Sequence, residues 1–147
     1  MKKTREIELI SGGLVVDDRG VLRFANDFCF NNVKQFFQTE NHHVGFIRAW
    51  HGHTREGRYL WVAHGSVLVG AVPLYVETGD ISKVQKYILT DLSPSILWIP
   101  EGYYSGFKTL KEDTILMVFT TLTSDEAKGE ANRLPYDTWN IWGEEYR

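Results

Sequence analysis

Short segments in which apolar and polar residues alternate, separated by turn signals, constrain the fold of this chain more than any other feature. Turn signals include Asp17-Asp18-Arg19-Gly20 and Thr54-Arg55-Glu56-Gly57. Such segments at spacings of roughly ten residues, with no helical pattern between them, predict an all-β sandwich or barrel of the jelly-roll type. The predicted strands are residues 7–10, 14–16, 33–39, 44–53, 58–64, 66–76, 83–90, 96–100 and 114–121.

One segment near the C-terminus has helix-forming character. In residues 124–133, Ser124 is a suitable N-cap and is followed by Asp, Glu, Ala and Lys, although Gly129 weakens the pattern. The sequence therefore predicts one short surface helix there.

The length and composition favour one self-contained domain over residues 1–147. Apolar residues make up 43% of the 147 positions, which is enough to bury a core. The formal net charge of −3 gives no general attraction to a phosphate backbone, so we expect no nucleic-acid partner.

Cysteine content and hydropathy indicate the cellular compartment of the protein. Cys29 is the single cysteine, so an intrachain disulfide is impossible and a reducing environment fits. The N-terminal ten residues lack the apolar run of a signal peptide, and no later window reaches membrane-spanning length. The sequence predicts a cytoplasmic protein with no membrane partner.

Two histidines form the most informative local pattern. His51 and His53 end the run Gly45-Phe-Ile-Arg-Ala-Trp-His-Gly-His, and their spacing on a strand places both on one face. This run resembles the first motif of the cupins, and the later Pro100-Glu-Gly-Tyr-Tyr-Ser-Gly-Phe run resembles the second. The resemblance implies a cupin jelly-roll barrel.

Both motifs depart from the metal-binding cupins. Arg58 stands near the place of the acidic ligand, and Ser105 stands where a later histidine is expected. Two of the four expected ligands are missing, and an arginine opposes a dication electrostatically. We therefore expect no bound metal and no other cofactor.

Among metal-free cupins, the chain resembles the dTDP-4-dehydrorhamnose 3,5-epimerases and the dTDP-4-keto-6-deoxyglucose 3,4-ketoisomerases. Asp17-Asp18-Arg19-Gly20, Arg48-Ala49-Trp50-His51 and Trp98-Ile99-Pro100-Glu101-Gly102 match epimerase segments, whereas His51-Gly52-His53 resembles the His-Ala-His element of the ketoisomerases. The resemblance implies an isomerase or epimerase that acts on a nucleotide-linked 4-keto-6-deoxy sugar. It also implies a homodimer that exchanges an N-terminal strand, here residues 3–10.

The chemistry of this family gives each candidate residue a role. A proton next to a ketone must be removed, and a histidine is suited to that step, so His51 is the predicted base and His53 its assistant. Arg48 and Arg58 would supply positive charge to a diphosphate or an enolate, and Arg19 is a further candidate for ligand contact. Strict alternation places Arg48 on the opposite face from His51, so a shared pocket requires a bulge or a contribution of Arg48 to a neighbouring subunit.

Several catalytic positions of the epimerases are not matched. Val118 or Phe119 stands where those enzymes carry a tyrosine acid, and Ser105 replaces a second histidine. Tyr103 and Tyr104 are candidate replacements for the acid.

A carboxylate near the C-terminus, Asp137, is the candidate group that orients a pocket histidine. Epimerisation at two carbons, epimerisation at one carbon and ketoisomerisation all stay open. The alternative outside enzymology is a non-catalytic cupin that binds a sugar or a related small metabolite.

Overall fold

The computed structural model describes residues 5–144 and residue 147, and strands dominate this part of the chain. Two short 3-10 helices, Ile81–Lys83 and Tyr136–Trp139, complete the regular structure. No helix among the described residues is long and apolar enough to span a bilayer. The strands are β1 (Glu8–Ser11), β2 (Gly13–Asp17), β3 (Gly20–Phe24), β4 (Gln35–Glu40), β5 (Ile47–His53), β6 (Arg58–His64), β7 (Ser66–Pro73), β8 (Gln85–Thr90), β9 (Ser95–Ile99), β10 (Tyr103–Thr109), β11 (Ile115–Thr120) and β12 (Ala131–Arg133).

The strands form two five-stranded antiparallel sheets and one separate hairpin. The first sheet has the order β1-β9-β6-β11-β4, and the second has the order β12-β5-β10-β7-β8. Strands β2 and β3 pair with each other only, among the described strands. The all-β prediction is confirmed, although neither sheet closes on itself.

The inner faces of the two sheets pack together into one apolar core. In β11 of the first sheet, Leu116 and Val118 are buried, and in β7 of the second sheet Val67, Val69 and Ala71 are fully buried. This alternation is the signature of strands with one face in a core, and burial of each of these Leu and Val side chains stabilises the fold by about 1.5–3 kcal/mol.

A second apolar cluster fixes the C-terminal segment against the outer face of the second sheet. Trp50 is fully buried there with Trp139 and Trp142, and its indole N–H donates to the carbonyl of Tyr136 at 3.0 Å. Backbone hydrogen bonds of 2.9 and 3.0 Å join Trp50 to Leu134 in both directions. Together these contacts hold the end of β12 beside β5.

The predicted helix over residues 124–133 is wrong, because the segment consists of turns followed by β12. Gly129 has a φ of +74°, which ends the helical path. The next residue, Glu130, is buried and its carboxylate accepts the backbone N–H groups of Arg55 and Glu56 at 2.6 and 3.0 Å. These long-range bonds outweigh the local helical preference.

Candidate active site

A cavity of about 230 Å³ lies between the two sheets. The wall from the first sheet is mainly apolar and comprises Phe37, Thr39, Arg58, Leu60, Leu116 and Val118. The wall from the second sheet carries most of the polar groups and comprises Arg48, His51, Ser105, Gly106, Phe107 and Arg133.

A bulge in β5 brings Arg48 and His51 into the same cavity. His51 lies opposite Ser105 in β10, whereas Arg48 lies opposite Phe107, so three steps along β5 match two steps along β10. The extra residue cancels the strict alternation that separated the two side chains in the sequence. Arg48 therefore reaches the cavity of its own chain.

Arg133 is a cavity residue that the sequence analysis missed. It belongs to β12, where it is the register partner of His51 in the neighbouring β5. The helix prediction concealed it, because a helical residue 133 has no strand neighbour. A signal was available in Pro135, since a proline favours extended backbone at the preceding residue.

Two of the three cavity arginines are held through their Nε atoms. The Nε of Arg48 donates to the side-chain oxygen of Asn41 at 2.6 Å, and Asn41 in turn donates to Thr109 at 2.7 Å. The Nε of Arg58 donates to a carboxylate oxygen of Glu56, also at 2.6 Å. Anchoring at Nε fixes the planar guanidinium and leaves its terminal nitrogens for a ligand.

His51 is held in its neutral form by its surroundings. Burial and the nearby charges of Arg133, Arg58, His53 and Arg48 lower the pKa of His51 to about 4. At neutral pH the imidazole therefore carries a free lone pair and can accept a proton, but it is a weak base without a ligand.

His53 lies deeper and pairs with a carboxylate. It is 5% exposed, and its Nδ1 lies 3.0 Å from Oε2 of Glu130. Burial first, and the charge of Arg58 next, lower the pKa of His53 despite this hydrogen bond. Burial opposes the ionisation of Glu130, but hydrogen bonds from Arg55, His53 and Glu56 lower its pKa overall. The Nε2 of His53 is buried and has no hydrogen-bond partner among the described residues.

Ligand atoms of His53, Glu56 and Glu130 lie within 4.8 Å of one another, a spacing that a metal ion could bridge. Each carboxylate is already engaged, since Glu56 accepts from Arg58 and Glu130 accepts from two backbone amides and faces His53. The guanidinium of Arg58 also opposes a cation at this point. The donor set therefore fits an internal hydrogen-bond network better than a metal centre.

Four predicted contact residues are not among those that line the cavity. The hydroxyl of Tyr103 donates to the carbonyl of Arg5 at 3.4 Å, and the ring of Tyr104 packs against Trp139. Asp137 lies in the 3-10 helix Tyr136–Trp139, and Arg19 lies at the tip of the β2–β3 hairpin, where it pairs with Asp17.

The positions that correspond to the epimerase acid are apolar. Val118 lines the cavity, while Phe119 points to the other face of β11 and contacts the rings of Phe28 and Phe30. Among the described residues, the cavity lining contains one histidine, His51, and no tyrosine. Any proton donor opposite His51 must come from elsewhere.

Comparison with known proteins identifies relatives with two activities. SpsL, a spore coat polysaccharide biosynthesis protein of Bacillus subtilis, is 25% identical over 137 residues, which cover 89% of this chain and 91% of SpsL. The rmlC epimerase of Mycobacterium tuberculosis superposes with a TM-score of 0.72 at 17% identity, over 90% of this chain and 73% of that one. The sugar 3,4-ketoisomerase QdtA of Thermoanaerobacterium thermosaccharolyticum superposes with a TM-score of 0.65 at 18% identity, over 90% of both chains.

The two solved structures superpose on this chain over its two-sheet jelly-roll arrangement, which agrees with the predicted fold class. The family model described as dTDP-4-dehydrorhamnose 3,5-epimerase matches residues 5–137, nearly the whole chain. The resemblance drawn from the sequence motifs is thereby confirmed, and the chain belongs to the dTDP-4-dehydrorhamnose 3,5-epimerase family of enzymes.

Proposed function

We propose that this protein isomerises a nucleotide-linked 4-keto-6-deoxy sugar by removing a proton next to the ketone with His51. The observation that carries the proposal is a neutral histidine beside three arginines in one cavity. Solved proteins of similar fold bind such a ligand or parts of it, since a mutant of QdtA was solved with TDP-4-keto-6-deoxyglucose and a Bacillus anthracis epimerase with TDP and pyrophosphate. No cofactor is needed for this chemistry.

The arginines would stabilise the charge that develops during proton removal. When His51 takes the proton from the carbon, the C–H electron pair moves toward the carbonyl and the ketone oxygen becomes an enolate. A donor already aimed at such an oxygen is worth about 3–4 kcal/mol in enzymes that have been tested by mutation. Arg58 is the donor best suited to this enolate oxygen. Glu56 holds its guanidinium in place, and its side chain is half-buried beside the apolar wall.

The apolar wall opposite His51 favours ketoisomerisation over epimerisation. Inversion at a carbon requires a proton to arrive on the face opposite the one it left, and Leu60, Leu116 and Val118 offer none there. Ketoisomerisation needs proton transfer on one face of the sugar ring only. His51 takes the C3 proton and returns it to C4, while the O3 proton passes to O4, so C3 becomes the ketone and no redox partner is consumed.

This route predicts the stereochemistry of the product. In a 4-keto-6-deoxyglucose derivative, the C3 hydrogen is axial on the lower face of the ring. Return of the proton to C4 on that same face leaves the C4 hydroxyl axial, which is the galacto configuration. Proton NMR of the product formed from dTDP-4-keto-6-deoxyglucose tests the proposal: a 3-keto product with an axial C4 hydroxyl supports it, and a product inverted at C3 or C5 contradicts it.

The same wall also supports a second candidate, a cupin that binds the nucleotide sugar without turnover. A protein that only binds the sugar needs neither a strong base nor an acid. His51 is weakly basic, and the described cavity lining has no acid opposite it. Binding of TDP-sugar with no exchange of ring protons would favour it over the enzyme.

We further propose that the protein is a cytoplasmic homodimer whose two sheets form the walls of a cupin barrel. The β2–β3 hairpin exposes Val15, Val16, Val21 and Leu22, each about half or more exposed, and a two-stranded hairpin is marginally stable by itself. A second copy packed on the hairpin would cover these side chains. Exchange of an N-terminal strand, residues 3–10, is a second proposal. Residues 8–10 pair with β9 of the same chain, so exchange would place them on β9 of the partner instead, and residues 3 and 4 lie outside the described residues.

A further inference from the structure

The charges around the cavity are not balanced. Glu56 neutralises Arg58, but the partner of Arg48 is the uncharged amide of Asn41. Among the described residues, the guanidinium of Arg133 has no hydrogen-bond or ion-pair partner. Two positive charges are therefore left over on the wall that carries His51.

The two unbalanced arginines lie nearer to solvent than the balanced one. Arg48 and Arg133 are exposed residues, whereas the Arg58 side chain is 23% exposed and His51 is half-buried. The cavity volume of about 230 Å³ is below the roughly 300–1,000 Å³ of pockets that enclose a drug-sized ligand. A nucleotide sugar would thus place its sugar inside and its diphosphate at the mouth.

We propose that Arg133 is a substrate-binding residue, and that the dianionic diphosphate held by Arg133 and Arg48 activates His51 as the base. The inference rests on the proposed function and deepens it. It gives the diphosphate a part in the chemical step as well as in binding. A 4-keto sugar without this dianion would meet a poorly basic imidazole.

The position of Arg133 supports a direct effect on His51. Register partners on adjacent antiparallel strands have Cβ atoms about 4.5–5.5 Å apart on the same face. The backbone bonds between Trp50 and Leu134 hold the strand at this point, while the guanidinium has no hydrogen-bond partner within residues 5–144. The backbone of Arg133 is therefore held in place, and its guanidinium is available to a ligand.

The groups that face His51 from each packed element give the direction of the effect. Its own strand supplies Arg48 and His53, β12 supplies Arg133, β6 supplies Arg58, and β10 supplies the uncharged Ser105. The carboxylates Glu56 and Glu130 are already bonded to Arg58 and His53. Two added negative charges at the mouth oppose the cationic contributions and favour protonated His51, so its pKa rises on binding.

The test is a pH titration of the His51 imidazole by NMR on the full chain, with and without TDP. In the wild type, TDP raises the pKa of His51. In Arg133→Met, the ligand-free pKa is already higher, the TDP-induced shift is smaller, and TDP binds at least tenfold more weakly. Arg133→Lys keeps the charge and restores the low ligand-free pKa, which separates a charge effect from damage to the fold.

A matched control removes the same charge outside the cavity. Lys128 precedes β12, is exposed and pairs with Asp125, so Lys128→Met should leave both the His51 pKa and TDP binding as in the wild type. Unchanged TDP affinity and an unchanged His51 pKa in Arg133→Met would overturn the inference, and continued turnover of the 4-keto sugar by that variant would leave the proposed function standing. Failure of the wild type to bind TDP would overturn both.

Discussion

The surroundings of His51 keep its imidazole unprotonated at neutral pH but also make it a weak base. Its imidazole is neutral at physiological pH, so it can accept a proton, but the arginines on both sides make protonation costly. In the proposed mechanism, a bound dianion removes much of that cost. The electrostatics of the cavity therefore link substrate binding to basicity at a single residue.

Replacement of His51 tests its role directly. His51→Asn keeps a polar side chain of similar size but cannot take a proton, so we expect turnover to fall about 10²–10⁴-fold, the range for loss of a general base. Binding of TDP should change little, because the arginines are intact. His42→Asn is a control at an exposed histidine outside the cavity lining. Equal turnover in His51→Asn and the wild type would remove His51 from the mechanism.

The pH profile should report the two states of His51. The acid limb of kcat/KM follows the ligand-free enzyme, so we expect activity to fall only as the pH approaches about 4, where His51 becomes protonated. The acid limb of kcat follows the complex and should lie at higher pH, because the diphosphate raises the pKa. Steady-state rates across this pH range measure both limbs, and a kcat limb below the kcat/KM limb would contradict the account.

At the scale of elements, the bulge between β5 and β10 decides which side chains share the cavity. Gly106 lies opposite the bulge, and a Cβ at this position would lie 2.3 Å from Cβ of Ala49 and 2.9 Å from the carbonyl oxygen of Arg48. The strands can approach this closely only because residue 106 is glycine.

Gly106→Ala should therefore destabilise the protein and displace Arg48. Overpacking of this kind costs about 1–3 kcal/mol of unfolding free energy, measurable by urea denaturation, and the catalytic rate should fall as well. Gly143→Ala is the matched control, since nothing lies within 4 Å of its Cβ position. A Gly106→Ala variant as stable and active as the control would show that the bulge tolerates a side chain.

The elements also show where sequence patterns suffice. The sequence predicts strand β6 with its observed bounds, because Arg58–His64 contains a continuous apolar and aromatic run that is flanked by Gly57 and Gly65. The sequence does not predict strand β10, because Ser105 and Gly106 interrupt its apolar pattern. Gly106 is needed there because β10 packs closely against β5. His51 and Arg48 were found from local motifs, but Arg133 depends on a long-range strand pairing that local preference does not encode.

At the scale of the whole molecule, the β2–β3 hairpin is the feature that a single chain leaves unexplained. Val16 is 66% exposed and Leu22 is 63% exposed, on a hairpin that pairs with neither sheet in the described part of the chain. If a second copy covers them, the double variant Val16→Asp, Leu22→Asp should be monomeric by light scattering while the wild type is dimeric. A wild type that is monomeric at micromolar concentration would contradict the homodimer.

Dimerisation also bears on Arg19, which lies at the tip of this hairpin and away from the cavity of its own chain. A partner chain is the remaining way for Arg19 to reach a cavity. Arg19→Met should therefore weaken TDP binding in the dimer and have no effect in the monomeric double variant, as isothermal titration calorimetry can measure. Equal losses of affinity in both forms would place Arg19 near its own cavity.

In the proposed mechanism, His51 removes and returns one proton on one face of the sugar. The most direct measurement uses dTDP-4-keto-6-deoxyglucose deuterated at C3, incubated with the wild type in ordinary water, with deuterium located by NMR in the product. If His51 acts in this way, part of the product carries deuterium at C4, beside an axial C4 hydroxyl, with C5 unchanged. A product inverted at C3 or C5, with solvent hydrogen at the inverted carbon, would contradict it.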